Sequence, residues 1–190
     1  MSPATILDFW FGPAEAAAYG NSRPEWFRKD DAFDAVLRER FGTLHADVAA
    51  GRMVDWAQSV EGRLAQIIVL DQFSRNMFRN TPAAFASDAI ALVLAKELVA
   101  EGGDRALLPV MRWFVYLPLE HSENLADQDE AVRLFRTSPP GPDADGVIEY
   151  AEKHRAVIRR FGRFPHRNVI LGRPSTSEEA TFLQTPGSSF

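Results

Sequence analysis

The chain has 190 residues, 46% of them hydrophobic, no cysteine and a formal net charge of -5. That length and apolar content suit one cooperative core, so a single domain spanning residues 1–190 is expected. The missing cysteine excludes disulfides, thiol nucleophiles and thiolate metal sites, and the acidic balance argues against nucleic acid or an anionic membrane as a partner.

In chain order, Ser2-Pro3 makes an N-cap and first turn, and Ile6, Leu7, Trp10 and Phe11 follow at helical spacing up to Gly12. Residues 13–29 hold Gly20, Asn21 and Pro24 and are expected to be irregular, anchored by Trp26 and Phe27. From Asp30, the positions Phe33, Val36, Leu37, Phe41, Leu44 and Val48 form an apolar stripe that leaves His45 on the surface, with Gly42 as a possible break.

A long segment then carries Val60, Leu64, Ile67 and Ile68, and it brings Asp71 onto the same buried face. Ile67–Leu70 is the longest aliphatic run, far below the ~20 residues of a spanning helix, and the N-terminus lacks a basic leader. A cytoplasmic protein without a membrane partner is therefore expected. Arg75-Asn76 is expected in a turn, with Thr81-Pro82 opening the next helix, which would run to Glu101 with Phe85, Ala89, Ile90, Val93, Leu94 and Leu98 on one side. Leu107–Leu117 is an aromatic-rich helix, and Pro118 should kink or end it. Leu125, Val132 and Phe135 mark another helix, closed by the loop Ser138-Pro139-Pro140-Gly141-Pro142. Beyond it, Val147, Ala151, His154, Ile158 and Phe161 place a histidine in a buried stripe, and two overlapping capping boxes, Ser175 with Glu178 and Thr176 with Glu179, open a last helix before a frayed end. No stretch alternates with period two, so the fold class is all-α with about seven or eight helices.

The polar residues that break this apolar pattern are Asp71, Gln72, Arg75 and Asn76; Glu120, His121 and Glu123; His154; and Arg163, His166, Arg167 and Asn168. Six arginines and no acid lie between Arg155 and Arg173, while the earlier motifs supply carboxylates, so these groups are expected to meet. As structure, they would form a buried network that pins helices together. As chemistry, His121 or His154 would be a general base oriented by Asp71 or Glu120, or the remaining residues would grip an anionic ligand. The histidine and carboxylate spacing fits no metal template, and no glycine-rich phosphate loop or Gly-x-Ser-x-Gly elbow is present, so neither metal nor cofactor is expected.

Four motifs in order, Leu7-Asp8-Phe9-Trp10-Phe11-Gly12, Leu70-Asp71-Gln72-Phe73-Ser74-Arg75-Asn76, Leu117-Pro118-Leu119-Glu120-His121-Ser122-Glu123 and Phe161-Gly162-Arg163-Phe164-Pro165-His166-Arg167-Asn168, are followed by Leu171-Gly172-Arg173 with Ser175-Thr176. Together they resemble the bacterial domain-of-unknown-function family numbered 924. Ser74 departs from that pattern, where the family more often has proline. The resemblance implies a tetratricopeptide-like array of helices and assigns no reaction. By analogy with that fold, a helical binding module for a peptide or small anionic ligand is the first functional expectation. A metal-independent acid/base enzyme, hydrolase or isomerase, is the second.

Overall fold

The computed structural model describes residues 1–139 and 143–188, and the described residues are helical with no strand. The helices are α1 (Pro3–Phe11), α2 (Asp31–Ala49), α3 (Val60–Ile68), α4 (Ser74–Met77), α5 (Asp88–Ala100), α6 (Pro109–Glu120), α7 (Leu125–Thr137), α8 (Ala144–Phe161) and α9 (Ser177–Phe182). A π-helical turn, Val69–Phe73, fuses α3 and α4 into one rod, which leaves eight separate rods.

Local chemistry sets the helix starts. Ser2, Asp30, Ser59 and Asn124 accept hydrogen bonds from the first free backbone N–H groups of α1, α2, α3 and α7. Of the two candidate capping boxes, Thr176 with Glu179 forms. α2 runs unbroken through Gly42, and α6 carries Pro118 within it and stops two residues later, at Glu120.

The α3–α4 rod is the centre of the molecule. Leu64, Ile67, Ile68, Leu70 and Phe73 are each 0% exposed, as expected of a helix enclosed on all sides. α1, α5 and α6 pack on α3, and α2 packs on the π turn and α4. From α5 onward each long helix packs on the next, α5 on α6, α6 on α7 and α7 on α8. Aromatic rings close the N-terminal end, where Trp10 lies 5.5 Å from Phe73 and 5.6 Å from Phe114 between ring centroids.

Several local expectations are corrected. Arg75-Asn76 is helical, because the π turn continues the rod instead of ending it. Thr81-Pro82 opens only a 3-10 turn, Pro82–Phe85, and α5 begins at Asp88. The buried face of α5 is Ala91, Ala95 and Leu98, while Ile90 and Val93 are exposed. Trp26 is buried as expected, but Phe27 is 62% exposed. His45 is buried instead of superficial, because α4 covers that edge of α2; its Nε2 lies 2.7 Å from the Ser74 hydroxyl, which itself donates to the Leu70 carbonyl. Burial holds the His45 imidazole below its ordinary pKa. Part of the loop after α7, residues 140–142, and the final two residues of the expected frayed end lie outside the described residues.

Candidate functional site

The π turn puts Asp71 and Gln72 deep in the core, Asp71 at 1% exposure. A π turn inserts one extra residue into a helix, and such turns recur at functional sites. Three donors meet the buried carboxylate. His121 Nδ1 and Arg75 Nη1 lie 2.8 and 2.9 Å from Oδ1, and Gln72 donates to Oδ2 at 2.6 Å. Arg75 also donates to the Asp71 backbone carbonyl at 3.0 Å. Burial alone would raise the Asp71 pKa; the charge of Arg75 and the side-chain hydrogen bonds from His121 and Gln72 outweigh it and hold the carboxyl ionised.

His121 caps the C-terminal end of α6, in the turn to α7. Burial, with Arg75 beside it, lowers the imidazole's pKa, and Asp71 only partly opposes this. The ring is thus neutral near pH 7. An ionised Asp71 can only accept, so Nδ1 carries the proton and Nε2 presents a lone pair. No protein group meets Nε2 among the described residues, and the side chain is 13% exposed. Gln128, 0% exposed, donates to the Ser122 carbonyl at 2.7 Å and to the Glu120 carbonyl, fixing the turn that carries His121.

A second pair lies alongside. His154 on α8 has Nδ1 2.9 Å from Glu120 Oε1 and 2.9 Å from the Tyr150 carbonyl. The His154 and His121 rings are 6.2 Å apart between centroids, and both His154 and Glu120 are buried. On the opposite flank, Arg75 grips Asp88 through two bonds of 3.0 and 3.1 Å, and Arg167 reaches the same carboxylate at 3.4 Å and the His121 carbonyl at 3.1 Å. The Arg167 guanidinium carbon lies 4.6 Å from the ring centroids of both Phe85 and Phe164. Burial, then the nearby charge of Arg75, brings Arg167 down to about 10.

The remaining expected residues belong to other clusters. Asn76 does not join Asp71; its amide donates to Asp34 at 2.8 Å, and Arg79 clamps the same carboxylate at 2.8 and 3.0 Å. Asn168 donates to Glu179 at 3.3 Å, which Arg163 clamps at 2.6 and 2.8 Å. Glu123 takes two bonds from Arg173, at 2.7 and 3.0 Å, and one from the Phe164 N–H at 2.7 Å. Burial works against ionisation of Glu123, but Arg173 and the Phe164 N–H hold its pKa below the usual value. His166 sits in the 3-10 turn Pro165–Arg167, where burial and the charge of Arg167 push its pKa down to about 3.

Asp34, Asp88 and Gln128 carry no signal in the sequence, whereas Arg173 closes the arginine run and stands in the Leu171-Gly172-Arg173 motif, and Glu179 belongs to the Thr176-Glu179 capping box. Each arginine from Arg155 to Arg173 is paired with an acid: Glu152 and Asp129, Asp129, Glu178, Glu179, Asp88 and Glu123 in turn. Among the described residues no three histidine, aspartate or glutamate side chains converge in metal-holding geometry.

The family model described as bacterial protein of unknown function (DUF924) matches residues 6–187. The chain belongs to this family. The DUF924 chain is also similar to the solved structure of a protein of unknown function from Agrobacterium tumefaciens, at 38% identity over 96% of each chain and with a TM-score of 0.84. No curated protein matches its sequence. In this DUF924 chain the second, third and fourth motifs converge on the Asp71, His121 and Arg167 cluster. No helix among the described residues is long and apolar enough to cross a membrane.

Proposed function

We propose that the Asp71–His121 pair is the working centre of an acid/base enzyme, a hydrolase or isomerase acting in the cytoplasm. The observation that carries this reading is the single contact at 2.8 Å that ties His121 Nδ1 to a buried carboxylate. It fixes the tautomer and leaves Nε2 as the proton acceptor. In the reaction, Nε2 takes a proton from water, a hydroxyl or a carbon acid, and Asp71 stabilises the imidazolium without itself accepting the proton. Arg75 and Gln72 hold Asp71 ionised and aimed, and Gln128 holds the turn. The surrounding guanidinium charge opposes a divalent cation, which supports a mechanism run on protons alone.

The test is a comparison of wild type with His121→Gln across ester, amide, phosphomonoester and carbonyl-isomerisation substrates. We expect one reaction to fall by about 100-fold or more in the variant, and by roughly 10-fold or more in Asp71→Asn. Because the imidazole pKa lies below its ordinary value, kcat/KM should stay flat from neutral pH to below 6.5. If no reaction separates wild type from His121→Gln, and His121 in the native protein resists diethylpyrocarbonate, the cluster is a helix-pinning network and nothing more.

A second reading, a helical binding module, draws support from a pocket of about 460 Å³ beside α1 whose lining includes none of the Asp71 cluster. The anionic ligand is the weaker form of this reading, because the arginines expected to grip an anion are already paired with acids.

A further inference from the structure

The first motif, Leu7 to Gly12, is not used by the Asp71–His121 centre. Its buried members, Trp10 and Phe11, belong to the core, but Asp8 and Phe9 turn to a different purpose. With Phe11, Tyr19, Arg23 and Phe33 they line the pocket beside α1. Its volume of about 460 Å³ falls within the usual range for small-ligand sites. Phe9 and Phe33 are stacked at 5.7 Å between centroids, so one wall is a rigid pair of rings.

The polar groups of the lining divide in a way that selects charge. Arg23 is occupied: Nη1 donates to the Phe9 and Trp10 carbonyls at 3.0 and 2.8 Å, and Nη2 pairs with Glu25 at 3.3 Å. Asp8 is exposed, and among the described residues no cation or hydrogen-bond donor meets its carboxylate. Arg40 lies over the Phe9 ring, 4.9 Å from its centroid, without itself lining the pocket. The lining thus offers apolar ring surface from Phe9 and Phe33, with Arg40 already over a Phe9 face, and one unclaimed negative charge, that of Asp8. Together they favour a cation carried on an apolar body, its ammonium on the carboxylate and its apolar part against the rings.

We infer that this pocket binds a small organic amine, its ammonium on Asp8 and its apolar part against Phe9 and Phe33. The site is separate from the acid/base centre, and the inference stands whether or not that centre is catalytic.

The test uses three probes of one shape, 2-phenylethylamine, 2-phenylethanol and 3-phenylpropanoate. Binding is read by calorimetry and by the fluorescence of Trp10, whose ring lies 6.1 Å from that of Phe33. The expected result is saturable binding of the amine, at least about tenfold tighter than of the alcohol or the acid. Asp8→Asn should keep the fold, because Asp8 is exposed and unpartnered, and should erase that preference. His121→Gln should bind the amine as wild type does, which separates failure here from failure of the acid/base reading. Equal affinity for the three probes, no saturable binding of the amine up to about 10 mM, or undiminished amine binding by Asp8→Asn would each overturn the assignment.

Discussion

Arg75 and Arg167 converge on one carboxylate, that of Asp88, at 3.0 and 3.4 Å. The likeness of the two Arg-Asn motifs extends beyond the arginine. Asn76 and Asn168 each donate to an acid, Asp34 and Glu179, that a further arginine clamps through two bonds. Each motif is thus a clasp in which the arginine faces the shared centre and the asparagine faces a separate ion pair.

Removing the centre of this arrangement should be severe. Asp71→Ala leaves Arg75 without its buried partner and should destabilise by about 3 kcal/mol or more. Asp88→Ala, nearer the surface, should cost about 1 to 2 kcal/mol, since Arg167 retains the His121 carbonyl. Urea denaturation measures both. A change below ~0.5 kcal/mol for Asp71→Ala, the range of ordinary surface substitutions, would contradict a buried ionic centre.

Acidification should weaken the fold through His166. Its pKa is about 3 in the folded chain against 6.5 for an ordinary imidazole. The unfolded chain therefore takes up the proton first, and the stabilisation is complete above pH 6.5 and lost as pH falls toward 3. The slope contributed by one imidazole is at most about 1.4 kcal/mol per pH unit. His45 and His121 act in the same direction, so the diagnostic quantity is a difference: His166→Asn should flatten the stability curve between pH 6 and 4 by about 1 kcal/mol per unit. Parallel curves for the two proteins would show that His166 is not held neutral. The low pKa values of Asp71, Glu123 and Glu179 act at lower pH, as their own carboxylates protonate.

Much of the fold was legible in the sequence because caps and stripes are local. Ser2 and Thr176 announced helix starts, and the four-three spacing placed His154 on a buried face. Asp71 stood out for the same reason, as a carboxylate among Leu64, Ile67 and Leu70. The buried face of α5 was misread because bulky Ile90 and Val93 outweighed the alanines, whereas Ala91 and Ala95 allow α5 to approach its neighbours closely. His45 was misread because a helix covered by two neighbours buries more than one stripe. The partners of the arginines, Asp34, Asp88 and Glu179, are tertiary choices that no local spacing encodes.

Gly62 offers a contest between helix propensity and space. Alanine in a helix interior is favoured over glycine by about 1 kcal/mol. A Cβ on Gly62, however, would lie 2.0 Å from the Trp56 carbonyl oxygen, a backbone atom that cannot rotate aside. Overpacking of this kind costs about 1 to 3 kcal/mol or more. Gly62→Ala should therefore lower the melting temperature; Gly42→Ala, with open space around it, should not. A stabilised Gly62→Ala protein would show that the turn at Trp56 yields easily.

Inorganic phosphate or sulfate, titrated to about 10 mM, should give no saturable rise in melting temperature, because Arg163, Arg167 and Arg173 are each engaged by an acid. A saturable rise that disappears in Arg167→Ala would show that an anion can displace Asp88 and would restore the anionic-ligand reading.

The π turn makes chain length itself a determinant at Val69–Phe73. Successive residues of an α-helix are about 100° apart around the axis, so a single-residue deletion there would not simply shorten the rod. It would swing Arg75 and Asn76 about a quarter turn away from Asp88 and Asp34 while leaving Leu64 and Ile67 in place. A substitution in this segment acts through the contacts of one side chain, whereas loss or gain of one residue would unlatch both arms of the Arg75-Asn76 clasp at once. Among relatives that keep the two Arg-Asn motifs, gaps should fall in the loops around the rod and not within it.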